Sequence, residues 1–185
     1  MLGLVFTELT RFIERHHSEE AVDRVLEAAA FEHDGAWTSV GNYPHEEALT
    51  LVVTAAEVLG ADPDQMVVQF GRELFGRFKE LYPAFFSDVA TALDFLERVE
   101  DHIHSEVRKL YSEARTPRIA TAREKLPQGE AMAVEYDSHR PMALLAHGLI
   151  EGCIAEFGAD LVVDRIDVEG SGGRSARFRV RPVTA

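Results

Sequence analysis

The chain has 185 residues, 46% of them apolar, enough for one domain with a sizeable core and too many for a disordered polymer. Thirty-two Asp and Glu stand against 19 Lys and Arg, and the net charge of −13 speaks against a sequence-independent grip on nucleic acid or an anionic membrane. The single cysteine, Cys153, excludes an internal disulfide and any multi-cysteine zinc or iron–sulfur site.

Residues 1–112 read as helical. Val5, Leu9, Phe12 and Ile13 form a first apolar stripe. The opening MLGLVFTELTRF meets acid at Glu8 and has no basic head, so it does not read as a signal peptide. No apolar run reaches the ~18 residues of a spanning helix. The expectation is a soluble cytoplasmic protein of a bacterial type, not inserted in a membrane. Ser18 opens a helix over 19–30 with two acids in its first turn. Residues 33–44 are a loop rich in turn formers, and HEEAL (45–49) and His16-His17 read as surface. A helix over 46–59 stops at Gly60. Asp62-Pro63-Asp64-Gln65 starts the next, which carries Met66, Phe70, Leu74 and Phe78 and ends before Pro83. Ser87 is placed as the cap of a last long helix bearing Val89, Leu93, Leu96, Val99, Ile103, Val107 and Leu110.

The character changes near Pro117. Residues 117–123 and 130–138 read as strands. Pro141 suits the first turn of a helix over 142–157 that Gly158 closes. Residues 161–168 and the alternation of Ala176, Phe178 and Val180 with Arg177, Arg179 and Arg181 read as two more strands, separated by the GSGG turn at 170–173. The fold class is α+β, an antiparallel sheet packed on a helix after a helical N-terminal part.

Two features carry chemistry. His102 and His104 flank the stripe of Val99, Ile103 and Val107, and the wheel does not choose between them. One histidine beside an apolar stripe is more often a hydrogen-bonded, half-buried residue than a ligand. It suffices as a ligand where the metal brings its own equatorial donors, as heme does. A zinc site needs about three protein ligands, for which no spacing is present. Secondly, Tyr136, Ser138 and Arg140 share one face if the strand continues that far. All three are donors, and a buried Arg140 needs an anionic partner with several oxygens. The other reading ends the strand near Asp137 and leaves Arg140 solvated at a helix start.

Together these residues resemble the heme-nitric oxide/oxygen-binding (H-NOX) family, similar to the heme sensor domain of soluble guanylate cyclase. The family's Y-x-S-x-R motif stands here as Tyr136-Asp137-Ser138-His139-Arg140. Its proximal H-x-E-V-x-K-L-Y stands as His104-Ser105-Glu106-Val107-Arg108-Lys109-Leu110-Tyr111. Pro117, LYP at 81–83 and GLIEG at 148–152 also look familial, while Ser112 stands where relatives often have proline. The resemblance implies a single domain over 1–185, with a helical lobe over about 1–62, a ligand and sheet lobe over about 63–185 containing a four-stranded antiparallel sheet, and heme b (protoporphyrin IX iron) between them. It implies His104 as the axial iron ligand, Tyr136, Ser138 and Arg140 as holders of the heme propionates, and Pro117 packed against the heme. Family members that hold dioxygen resemble one another in a distal tyrosine nine residues after the motif's first tyrosine, where this chain has Leu145. A looser alignment adds Leu9, Leu74 and Phe78 to the distal pocket, none a donor. The expectation is a nitric oxide sensor, also binding carbon monoxide, with no catalytic site of its own. Its expected partner is a histidine kinase or a cyclic-di-GMP enzyme. The alternatives are an oxygen sensor, a His-ligated peroxidase relying on His147 as its acid–base group, and a heme-free module in which Arg140 grips a small anion.

Overall fold

The computed structural model describes residues 1–111 and 115–183, so Ser112 lies outside the described residues. The chain divides into two compact units, Met1–Phe70 and Gly71–Ala185.

In the first unit α1 (Gly3–His16) buries Phe6, Leu9, Phe12 and Ile13. α2 (Glu19–Ala29) is capped by Ser18, whose Oγ accepts from the Ala21 N–H at 3.1 Å. α3 (His45–Leu59) stops at Gly60, which takes the left-handed φ of 66° that a Cβ would disfavour. The Asp62 carboxylate accepts from the Gln65 N–H at 2.9 Å and starts α4 (Pro63–Leu81). The loop at 33–44 is packed, contrary to its composition. Trp37 stacks on Phe6 at 5.1 Å, and its indole N–H donates to Glu47 at 2.8 Å. His33 bears on the same carboxylate at 3.0 Å. The reading of HEEAL as surface therefore needs correction at Glu47, which is drawn inward by two ring nitrogens, and at buried Ala48.

The second unit continues α4 through a 3-10 turn, Pro83–Phe86, to α5 (Ala92–Arg98), a π-helical turn (Val99–His104) and α6 (Ser105–Leu110). The placement of Ser87 as a cap is overturned. Asp88 takes a φ of 59°, which a right-handed helix cannot contain, and the Ser87 hydroxyl donates back to Ala84 O at 2.8 Å. Thr91 is the cap, accepting from the Asp94 N–H at 3.1 Å. The single long helix expected beyond Ser87 is thus two α-helical pieces joined by a π-helical turn.

Among the described residues β1 (Arg118–Leu126), β2 (Gly129–Asp137), β3 (Leu161–Asp167) and β4 (Ser175–Pro182) form one antiparallel sheet in the order β1-β2-β4-β3. In register, Met132 faces Val180, Val134 faces Phe178 and Tyr136 faces Ala176. That face is buried with Phe75, Leu93, Phe95 and Leu96 and with Ile150, Cys153 and Ile154 of α7 (Ala143–Glu156). The outer face carries cross-strand ion pairs: Arg177 with Glu135 at 3.1 Å, Arg179 with Glu124 at 3.0 Å and Arg181 with Asp164 at 2.6 Å. α7 begins two residues after Pro141, because Met142 is its non-helical cap and the Ala143 N–H is taken by Gly173 O at 3.1 Å.

α4 and α7 cross at glycines. A Cβ on Gly71 would lie 2.7 Å from Leu145 O, and one on Gly152 would lie 2.5 Å from Arg72 O and 2.7 Å from the Phe75 Cβ. This gives the GLIEG stretch a physical reason: backbone contact that admits no side chain. We expect Gly152→Ala to destabilise the protein by about 1–3 kcal/mol through overpacking. A denaturant titration showing unchanged stability would mean that the helices do not cross this closely.

Candidate functional site

His104 ends the π-helical turn, a winding that recurs at functional sites. Its side chain is 16% exposed, whereas His102 is exposed and leans on Phe85 with ring centroids 6.2 Å apart. The His104 Nδ1 lies 3.2 Å from Glu100 Oε2. Burial, only partly offset by Glu100 and by the Pro117 carbonyl, holds the imidazole below its ordinary pKa and hence neutral at pH 7. Glu100 is a junction. Its Oε2 also accepts from the backbone N–H of Ile119 at 3.0 Å, and its Oε1 accepts from Arg108 at 3.1 Å. Burial alone would raise the Glu100 carboxyl, but these donors outweigh it and hold it below the usual carboxylate range.

Ile119 pairs with Tyr136 across the β1–β2 ladder, so the same register that receives Glu100 places the tyrosine. Tyr136 is buried, and burial raises its phenol pKa against the opposing pull of Ser138 and Arg140, so it remains a neutral donor. The strand does not carry all three motif residues: of the two readings of the sequence, the one that ends the strand near Asp137 holds for the backbone. β2 ends at Asp137, and the Ser138 N–H turns to Arg174 O at 2.9 Å. The three side chains converge through a turn: Ser138 Oγ accepts from the Arg140 N–H at 3.1 Å, and the half-buried Arg140 guanidinium reaches Arg115 O at 3.3 Å. Arg115 lies two residues before Pro117, and the Pro117 carbonyl bears on His104.

Of the distal candidates in the second unit, Leu74 is buried and Phe78 half-buried one turn later on α4. Leu145 is half-buried on α7, its carbonyl against Gly71. Leu9 is buried in α1 of the first unit. His147 stands about 200° around α7 from Leu145, against Phe178 at 6.0 Å and 3.7 Å from Glu151. It therefore does not share a face with Leu145, which removes the feature on which the peroxidase reading relied.

A family model described as haem-NO-binding matches residues 2–165. The chain belongs to the haem-NO-binding family. Among solved structures this H-NOX chain is similar to the IWP-051-bound H-NOX of Shewanella woodyi in its Fe(II)CO state, with 32% identity over 99% of this chain and 95% of that one and a TM-score of 0.81. It is also similar to a variant of the K. algicida H-NOX in its Fe(II) unliganded state (25% identity, 100% and 97% covered, TM-score 0.89). The S. oneidensis H-NOX in its Fe(II)NO state shares the fold at 23% identity, with 100% of both chains covered and a TM-score of 0.86. No curated protein gives a significant match. The H-NOX chain is a heme gas-sensing domain and not an enzyme.

The residues fit that cofactor. A carboxylate lies beside the Nδ1 of His104; in the tautomer that keeps its proton there, Nε2 would carry the lone pair for a metal. Tyr136, Ser138 and Arg140 present donors of the kind that carboxylates need. Among the described residues no group of three His, Cys, Asp or Glu side chains could hold a metal unaided, as a porphyrin-held iron does not require. Nor is any helix among them long and apolar enough to cross a membrane. Glu100 is the site residue that sequence reasoning missed. The sequence holds only the spacing, an acid four residues before a histidine; the π-helical turn brings the two within 3.2 Å.

Proposed function

We propose that this chain senses nitric oxide at a ferrous heme b ligated by His104 and reports to a separate protein. The observation that carries the choice of gas is the chemistry of the expected distal residues of the second unit: Leu145, Leu74 and Phe78 offer no hydrogen-bond donor. Heme, when bound, would supply an iron that takes a diatomic gas. His104 would hold that iron through Nε2, Tyr136, Ser138 and Arg140 would hold the propionates, and Pro117, beside the His104 ring, would pack on the macrocycle. The segment 99–110 is tied to β1 through Glu100 and Arg108, so a change in the pull on His104 biases a discrete element of structure. A histidine kinase or a cyclic-di-GMP enzyme in a bacterial cytoplasm is the receiver we propose.

We expect reduced protein to bind nitric oxide and carbon monoxide and to form no stable dioxygen complex in air. Bound dioxygen is partly negative and gains from a donor; a neutral hydrogen bond is worth about 0.5–1.5 kcal/mol and more in a dry pocket. Its absence lowers dioxygen affinity by about an order of magnitude or more. The visible spectrum of reduced protein opened to air is the test. A long-lived oxy spectrum would overturn this reading in favour of an oxygen sensor.

A further inference from the structure

We propose that Glu100 is the positioning residue of the iron–imidazole unit, fixing the direction of the His104 ring and raising its donor strength toward the metal. The inference rests on the assignment of His104 as the axial ligand.

Three observations carry it. Glu100 Oε2 lies 3.2 Å from His104 Nδ1, within reach of the one ring proton a neutral, Nε2-ligating imidazole keeps. The same oxygen accepts from the Ile119 backbone N–H at 3.0 Å. That donor belongs to a strand paired along its length with β2, so the carboxylate is anchored to the rigid part of the unit. Its other oxygen accepts from Arg108 at 3.1 Å, and Arg108 in turn donates to Thr116 Oγ1 at 2.6 Å. Glu100 is therefore held from β1 by Ile119 and from α6 by Arg108, which is itself tied to the loop before β1, while its helical turn carries the histidine. A surface i,i+4 pair is worth little and leaves both partners mobile. This one has every observed contact that a ligand-orienting carboxylate needs. An anionic acceptor on the far nitrogen of a ligating imidazole makes the near nitrogen a stronger donor and favours the more oxidised metal.

The test uses the heme-loaded full chain and Glu100→Gln, which keeps the shape and an acceptor oxygen and removes the charge. In wild-type ferrous protein, resonance Raman reads the iron–imidazole stretch. We expect that frequency to fall in Glu100→Gln, the midpoint potential to rise, and heme loss to a scavenger to quicken about tenfold, the lower end of the usual effect of removing such a partner. Arg108→Ala should move the frequency the same way by less. A folded Glu100→Gln with an unchanged stretch and potential overturns the inference. If that variant does not fold by circular dichroism, Glu100→Asp decides by the same reading, since it keeps the charge and withdraws it by one methylene. If His104→Gly retains the wild-type stretch, the ligand assignment falls and this inference with it. An unchanged stretch in Glu100→Gln, with the band lost in His104→Gly, overturns the inference alone.

Discussion

His104→Gly is expected to yield heme-free protein, or protein that takes up heme only when imidazole is supplied. The structure gives this loss its scale. The histidine is the one ring in its helical segment that is both withdrawn from water and fixed by a partner on its far nitrogen. Removing it takes away the metal's only proposed protein ligand and leaves propionate contacts and apolar packing. Imidazole rescue is part of the expectation, because the glycine vacates the volume of the lost ring and Glu100 remains to orient a free one. Absorbance of protein purified with and without imidazole measures it. Normal heme uptake in His104→Gly, together with loss in His102→Gly, would move the ligand to the exposed neighbour.

Arg140→Ala should show the next largest effect, a heme affinity lowered about ten- to hundredfold. The guanidinium supplies the only formal positive charge of the propionate set, and a charge-assisted hydrogen bond is worth roughly 1.5–3 kcal/mol. Ser138→Ala should cost less, since the Ser138 hydroxyl is neutral and already accepts from the Arg140 N–H. Heme dissociation rates of the two variants, measured with an apoglobin scavenger, provide the comparison. Full occupancy and a wild-type rate in the variant lacking all three side chains would dismiss the set as propionate holders.

Much of this architecture was legible because the signals were local. Ser18, Gly60, Asp62 and Gly158 act where their chemistry predicts, and the alternation of Ala176, Phe178 and Val180 gives the buried face of β4 directly. What escaped was set at longer range. Ser87 and Thr91 are both good caps, and only the left-handed Asp88 decides between them. The loop at 33–44 shows only its turn formers in sequence, because its anchor, Glu47, lies in the next helix. The spacing of Tyr136, Ser138 and Arg140 fits either a flat strand face or a strand that ends near Asp137, and the chain takes the second course with a turn. The helical wheel could not separate His104 from His102 because it assumes 3.6 residues per turn, and 99–104 does not wind that way.

That winding has a mechanical consequence. A turn closed from residue i to i+5 holds one residue more than an α turn, so the stretch between α5 and the proposed iron ligand contains slack. Drawing it in would advance the following chain by about 1.5 Å along the axis and swing each later side chain by about 100°. The chain holds, next to its proposed metal ligand, a length reserve of one residue between α5 and α6.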